Sequence, residues 1–211
     1  MPGREPALDL ARRLTPLIGD RRVLDAIAST PRERFVPEEL RDRAYDNEAL
    51  PIAGGQTISQ PLVVGRMLEL LELDGDELVL DVGTGSGYHA ALLARLAREV
   101  ISIEVVAKLH DAAVATLQDL GLRNVTCLVA DGWRGLPERA PYDAINVAAA
   151  SGRQLPAQLL AQLAPGGRMV LPVGRRRQRL TVVRRADDGH VSVETLEPVR
   201  FVPLVRPASG A

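Results

Sequence analysis

Three acidic residues and a run of glycines fall at spacings suited to a charged nucleoside cofactor. The segment Asp81-Val82-Gly83-Thr84-Gly85-Ser86-Gly87-Tyr88 follows an apolar run and precedes a helical one. Its glycines let backbone N–H groups approach a ligand at the carboxyl end of a strand. A dinucleotide fingerprint, G-x-G-x-x-G, would want its third glycine where Tyr88 stands. Asp81, two residues ahead of the first glycine, would repel a pyrophosphate and attract a cation. S-adenosyl-L-methionine, with its amino group and sulfonium, meets both conditions. Glu104 closes the run VISIE, where a carboxylate can accept both ribose hydroxyls of that cofactor or of NAD. Asp131 and Gly132 follow VTCLVA, where an acid can accept from an adenine amino group. The order Asp81, Glu104, Asp131 on successive strand ends predicts a methyltransferase. Its cofactor would be held by Asp81, Gly83, Thr84, Gly85, Ser86, Gly87, Glu104, Asp131 and Gly132.

A second chemical stretch is GGQTISQP, residues 54–61. Thr57 and Ser59 are short hydroxyl donors beside two flexible glycines. Ser59 is also placed to cap the helix that Pro61 opens, and the two roles are compatible. Cys127 is the single cysteine, which excludes an intramolecular disulfide and a thiolate-rich zinc site. His89, His110 and His190 sit on different elements, so no metal is expected. Trp133 could pack beside the adenine or elsewhere. Arg175-Arg176-Arg177-Gln178-Arg179 reads as a solvated turn able to attract acidic peptides or phosphates.

These groups need a frame. Apolar spacing predicts helices at 8–18 and 21–28, the second capped by Asp20, then a proline-broken loop at 30–37. PLVVGRMLELLEL is an amphipathic helix. From residue 77 the pattern becomes strand, glycine loop, helix, strand, helix: LVLDV, HAALLARLA, VISIE, a helix at 106–120 closed by Gly121, VTCLVA and YDAINVA. Such alternation builds a parallel sheet covered on both faces. Runs at 168–173, 180–185 and 191–196 read as further strands, turning at Gly174 and Asp188-Gly189. The fold class expected is α/β, a doubly wound Rossmann-like methyltransferase fold with an N-terminal helical addition and C-terminal strands. One domain is expected over 1–211: a helical and substrate-loop region at 1–60, a cofactor core at 61–174, strands at 175–205 and a loose tail at 206–211.

The chain has 211 residues, 46% hydrophobic and 25% charged, with a formal net charge of −1, so no global field favours nucleic acid or anionic membrane. Aromatics make up 3%, leaving few rings to stack on bases. The early charges of MPGREPALDLARRL do not fit a signal peptide, and no window approaches the roughly 20 apolar residues of a spanning helix. A cytoplasmic monomer is the expectation.

The residues resemble one family closely, the protein-L-isoaspartate (D-aspartate) O-methyltransferases. The resemblance runs from about residue 32 to 205. It rests on RERFVPEELRDRAYDNEALPI, GGQTISQP, LDVGTGSGYHAALLA, ADGWRGLPERAPYDAI, LAPGGRMVLPVG and VRFVPLV. It implies transfer of a methyl group from S-adenosyl-L-methionine, leaving S-adenosyl-L-homocysteine, to the α-carboxylate of L-isoaspartyl residues in damaged proteins and peptides. The ester then closes to a succinimide, whose hydrolysis returns some normal aspartate. The resemblance further implies that Ser59 is catalytic and that Thr57, Ile58, Ser59 and Val202 contact substrate, with VRFVPLV a strand along the peptide groove. The chain departs from the family pattern at Ala53, usually glycine, and at Ala148, often threonine. Asn146 occupies a normally apolar strand position and His89 replaces a common glutamine. Four alternatives stand beside this reading: a carboxyl methyltransferase tailoring one precursor peptide, a methyltransferase with a nucleic-acid or small-molecule acceptor, an NAD-dependent oxidoreductase, and a binding module without activity.

Overall fold

The computed structural model describes residues 4–206. The reading of a loose tail at 206–211 falls, beyond Arg206, outside the described residues. Helix α1 (Arg4–Leu14) and helix α2 (Arg21–Ala28) pack on each other. Helix α1 ends earlier than the spacing predicts, because Pro16 has no N–H to continue the ladder, and the chain turns through it with the Leu17 and Ile18 amides on the Leu14 carbonyl. Asp20 caps α2 as expected, its Oδ1 accepting from the Arg22 and Val23 amides. Short 3-10 turns at Arg32–Phe35 and Glu38–Arg43 lead to strands β1 (Leu50–Pro51) and β2 (Thr57–Ile58). These two strands pair antiparallel around the glycines, a hairpin the sequence pattern did not reveal.

Helix α3 (Pro61–Leu71) precedes the alternating core of β3 (Leu78–Val82), α4 (Tyr88–Leu93), β4 (Glu99–Glu104), α5 (Ala107–Asp119), β5 (Val125–Val129) and β6 (Tyr142–Val147). Helix α6 (Ala157–Ala161), unread in the sequence, leads to β7 (Leu163–Val173), β8 (Gln178–Arg185) and β9 (Val191–Val199). The main sheet has the order β5-β4-β3-β6-β7-β8-β9, parallel from β5 to β7 and antiparallel beyond. The chain winds outward through β4 and β5, then crosses back to β6. That reversal opens a crevice between the carboxyl ends of β3 and β6, the place where such sheets bind ligands.

Period-two geometry sorts the apolar strands onto two faces. Val79, Val100, Ala144 and Val170 pack with α1 to α4, while Leu80, Ile101, Ile145 and Met169 pack with Leu159 of α6 and with Tyr142. No helix among the described residues is long and apolar enough to cross a membrane.

VRFVPLV departs from the strand expected for it. Strand β9 is the sheet edge but stops at Val199, and the chain then leaves the ladder. Pro203 lacks the N–H that continued pairing would need. The segment instead crosses the end of β6. There the Ala150 amide donates to the Val202 carbonyl (2.8 Å) and the Leu204 amide to the Ala150 carbonyl (2.9 Å).

Candidate active site

The glycine loop after β3 folds back on β4. Gly83, Gly85 and Gly87 all take positive φ, at 92°, 54° and 90°, which a side chain would strain. The Gly83 and Thr84 amides donate to the Ile103 carbonyl, Gly87 N–H to the Thr84 carbonyl, and Gly85 N–H to Glu104 Oε2 at 2.9 Å. The loop thus uses its amides internally instead of presenting an anion cradle, which disfavours a pyrophosphate. Glu104 is 7% exposed, and its Oε1 accepts from the Val105 and Val106 amides at 2.9 and 3.0 Å. Oε1 has both lone pairs engaged, while Oε2, with Gly85 alone, keeps one toward the cleft that Glu104 lines with Gly83, Gly85, Gly132, Ala148 and Val202. A Cβ on Gly132 would meet Leu204 and Val82 at 2.9 Å, so this wall admits only glycine. Asp131 Oδ1 accepts from the Trp133 amide, and Oδ2 has only Arg206 at 4.0 Å. Trp133 donates its indole N–H to the Leu204 carbonyl at 3.0 Å, tying the C-terminal segment to this rim. The Arg206 guanidinium lies 5.2 Å over the indole ring.

Asp81 and Gly87 stand apart from the cleft wall. Gly87 ends the loop at the start of α4, close against Ala113. Asp81 lies wholly buried beneath the loop, where its carboxylate accepts from Ser102 Oγ and Asn146 Nδ2, both at 2.7 Å. Asn146, at a position expected to be apolar, is therefore the partner that keeps a buried acid hydrogen-bonded. Thr84 Oγ1 lies 2.6 Å from Ser102 Oγ and extends the network to the glycine loop. Ser102 was invisible to sequence reasoning because its register opposite Asp81 exists only in the paired sheet.

Burial pushes the Asp81 carboxyl up to about 6, against the lowering effect of the Asn146 and Ser102 hydrogen bonds. A carboxyl raised in the native state favours folding while protonated and loses that contribution as pH rises through its native value. Wild type should therefore lose about 1 to 1.5 kcal/mol from this group between pH 5 and pH 7.5. Asp81→Asn should remove that slope. Urea unfolding of both proteins at the two pH values measures it; parallel pH dependences would refute the assignment.

The second stretch sits against the first. Thr57, Ile58 and Ser59 line a small pocket together with Gly83, Thr84, Gly85, Ser86 and Ala148. Thr57 also borders the cofactor cleft, and Thr57 and Ser59 both open outward onto a groove bounded by Ala49, Val63 and the chain from Pro198 to Phe201. Ser59 is thus at a junction between an outer groove and the glycine loop. Among the described residues the inner pocket is lined by no aspartate, glutamate, lysine or arginine, while Arg200 stands on the outer groove. Burial, reinforced by Arg32, pushes His89 down to about 4, and burial pushes the Tyr88 phenol up to about 12.

Ser59 does not cap α3. The cap position is Gln60, without a side-chain hydrogen bond, and the Leu62 amide donates instead to Asn47 Oδ1 at 3.0 Å. The cap is supplied from a distant loop, which leaves the Ser59 hydroxyl without an intramolecular partner among the described residues. That loop is held by Arg32, whose buried guanidinium donates to the Ala44 carbonyl at 2.7 Å and stacks 5.0 Å over Tyr88. Asn47→Ala should cost about 1 kcal/mol, as lost caps do, and lower Tm by about 2–4 °C for a chain of this size. Calorimetry of the variant, with turnover near wild type, checks it.

Comparison with known proteins agrees with this geometry. The sequence profile of the family described as protein-L-isoaspartate(D-aspartate) O-methyltransferase matches residues 9–209. A protein-L-isoaspartate O-methyltransferase of Anaeromyxobacter dehalogenans (strain 2CP-C) is 60% identical over 190 residues, 89% of this chain and 90% of that one. One from Sodalis glossinidius is 51% identical over 189 residues, 90% of each chain. A solved protein-L-isoaspartate O-methyltransferase superposes with a TM-score of 0.83 at 27% identity, over 95% of this chain and 65% of that chain's length. The fold is shared too with a Plasmodium falciparum structure described as such a methyltransferase in complex with S-adenosyl-L-homocysteine, at TM-score 0.84, 24% identity, and 94% and 98% of the two chains. The chain therefore belongs to the protein-L-isoaspartate(D-aspartate) O-methyltransferase family.

Proposed function

We propose that this protein methylates the α-carboxylate of L-isoaspartyl residues in damaged proteins and peptides, using S-adenosyl-L-methionine and leaving S-adenosyl-L-homocysteine. One observation carries the site assignment: an unpartnered Ser59 hydroxyl at the junction of an outer groove and the glycine loop. When bound, the cofactor supplies an electrophilic methyl group on a sulfonium sulfur. Gly83, Gly85, Glu104, Asp131 and Gly132 would hold it, with the carboxylates accepting from the ribose and adenine. Asp81, beneath the loop, acts through the positions of Thr84 and the glycines.

A carboxylate acceptor is ionised at neutral pH and needs no general base. The chain's task is to place one oxygen in line with the methyl group. The Ser59 and Thr57 hydroxyls suit it, because a neutral donor fixes an oxygen without quenching its charge. An arginine or lysine there would form an ion pair and blunt the nucleophile. With His89 neutral, no cation lines the inner pocket, Arg200 standing on the outer groove, so attraction between the acceptor carboxylate and the sulfonium would meet no competitor there. Ile58 and Val202 would pack against the substrate backbone. Cleft, junction and groove are all built by a single chain, and we take the working unit to be a monomer of the cytoplasm.

The test is methyl transfer from labelled cofactor to two peptides identical except for L-isoaspartyl or L-aspartyl at one site. Base-labile label on the isoaspartyl peptide alone is expected. Transfer to neither, with S-adenosyl-L-homocysteine still bound, would overturn the acceptor and keep the cofactor.

A further inference from the structure

The rim of the site is electrically lopsided. Residues 148–158, 172–182 and 198–206 contain no aspartate or glutamate, yet carry Arg153, Arg175, Arg176, Arg177, Arg179, Arg200 and Arg206. The fold gathers these three segments at the carboxyl edge of the sheet, beside the junction. Strands β6 and β7 both run parallel to β3, so the loop after β6 and the turn after β7 emerge on the same side as the glycine loop. An isolated pairing joins Gly152 to Gly174, and another joins Ala150 to Pro203. Gln178 clamps the third segment to the second, accepting from the Phe201 amide at 2.6 Å and donating to the Phe201 carbonyl at 3.0 Å. A groove lined by Trp133, Arg153, Arg175 and Arg206 results, while Arg200 borders the groove at Ser59.

These arginines differ as a group from most others in the chain. Many arginines elsewhere meet carboxylates, as in Arg34–Asp119, Arg43–Glu48, Arg139–Glu99 and Arg168–Glu72, and exposed exceptions such as Arg12 and Arg123 stand singly. Among the described residues Arg153, Arg175, Arg176, Arg177, Arg179 and Arg200 form no ion pair, and Arg206 has only Asp131 at 4.0 Å. All seven are exposed. A chain with net charge −1 has concentrated uncompensated positive charge on one side of its site, where it would steer and hold the opposite charge. The occupant favoured is a polypeptide. The segment 198–206 lines both this groove and the one at Ser59, and the Arg206 guanidinium occupies a face of the Trp133 ring on which a base would otherwise stack.

We infer that this rim selects isoaspartyl sites flanked by acidic side chains, with Arg153, Arg175, Arg176 and Arg177 as specificity determinants. The inference rests on the isoaspartyl reading above. An extended peptide advances about 3.3 Å per residue, so side chains a few residues from the acceptor reach the rim.

The experiment compares fluorescent isoaspartyl peptides whose flanks are glutamates, glutamines or lysines, with wild type and with Arg153→Gln/Arg175→Gln/Arg176→Gln/Arg177→Gln. For wild type, kcat/KM should favour the glutamate peptide over the lysine peptide by about tenfold, chiefly through KM. The preference should shrink severalfold between 50 and 500 mM salt, about a threefold fall in Debye length. In the variant it should collapse toward unity, with the glutamine peptide unchanged. Equal preference in wild type and variant, or none in wild type, overturns the inference. Fluorescence anisotropy of the same peptides reads binding without turnover. Loss of all methyl transfer would thus sink the acceptor reading, while the ratio of dissociation constants still decides the rim. An RNA oligonucleotide that binds through these arginines, where acidic peptides gain nothing, would overturn it in favour of nucleic acid.

Discussion

Ser59→Ala is expected to lower kcat for isoaspartyl methylation by about a hundredfold or more, the usual effect of deleting one aligned donor, while leaving stability within about 0.5 kcal/mol. The two halves of that expectation come from one structural fact. A serine that capped α3 would cost about 1 kcal/mol on truncation and would hold its hydroxyl against the helix. Here Asn47 bonds the Leu62 amide from a loop 15 residues away, and Ser59 is free to face the junction it shares with Thr57, Gly83 and Ala148. Asn47→Ala and Ser59→Ala should therefore separate: the first loses stability and keeps turnover, the second the reverse. Steady-state kinetics on one isoaspartyl peptide, with calorimetry of both variants, decides. A Ser59→Ala enzyme with unchanged kcat would reduce Ser59 to a wall residue; a destabilised one would make it structural.

Much of this site was readable before folding because its parts are local. The loop at 83–87 needs positive φ at each glycine, and glycine is the residue that supplies it. Glu104 and Asp131 end strands whose apolar runs are continuous. What escaped was non-local. Ser102 and Asn146 become the ligands of Asp81 only when β3 lies between β4 and β6. Asn47 becomes a cap only when Arg32 has drawn residues 44–48 inward. The β1–β2 hairpin is two residues deep on each side, too short to show a period. VRFVPLV has the composition of a strand, but Pro203 interrupts its donors and the chain leaves the ladder after Val199, so composition and hydrogen bonding point different ways and the latter prevails. Helix α6 is five residues long, below the length at which helical spacing separates from chance.

The Glu104 carboxylate, proposed above to bind the ribose, also holds the frame, and its substitutions give the second large effect. Glu104→Ala is expected to weaken S-adenosyl-L-homocysteine binding by about one to two orders of magnitude, roughly 1.5–3 kcal/mol, as the hydrogen bond from a ribose hydroxyl to the charged Oε2 is lost. The isosteric Glu104→Gln should not rescue it. Oε1 already accepts from the Val105 and Val106 amides and Oε2 from the Gly85 amide. A carboxamide offers one acceptor oxygen, so its NH2 group would confront a backbone N–H on one side or the other. The amide therefore displaces either the glycine loop or the turn after β4, and a loss of about tenfold in affinity follows. Titration calorimetry with S-adenosyl-L-homocysteine on wild type, Glu104→Gln and Glu104→Ala, beside thermal unfolding of each, separates the two duties. Loss of affinity in both variants, larger for alanine, places the ribose on this carboxylate. Loss of stability with affinity within about threefold of wild type would mean that Glu104 only folds the Gly85 loop onto β4, and that the ribose is held by other groups.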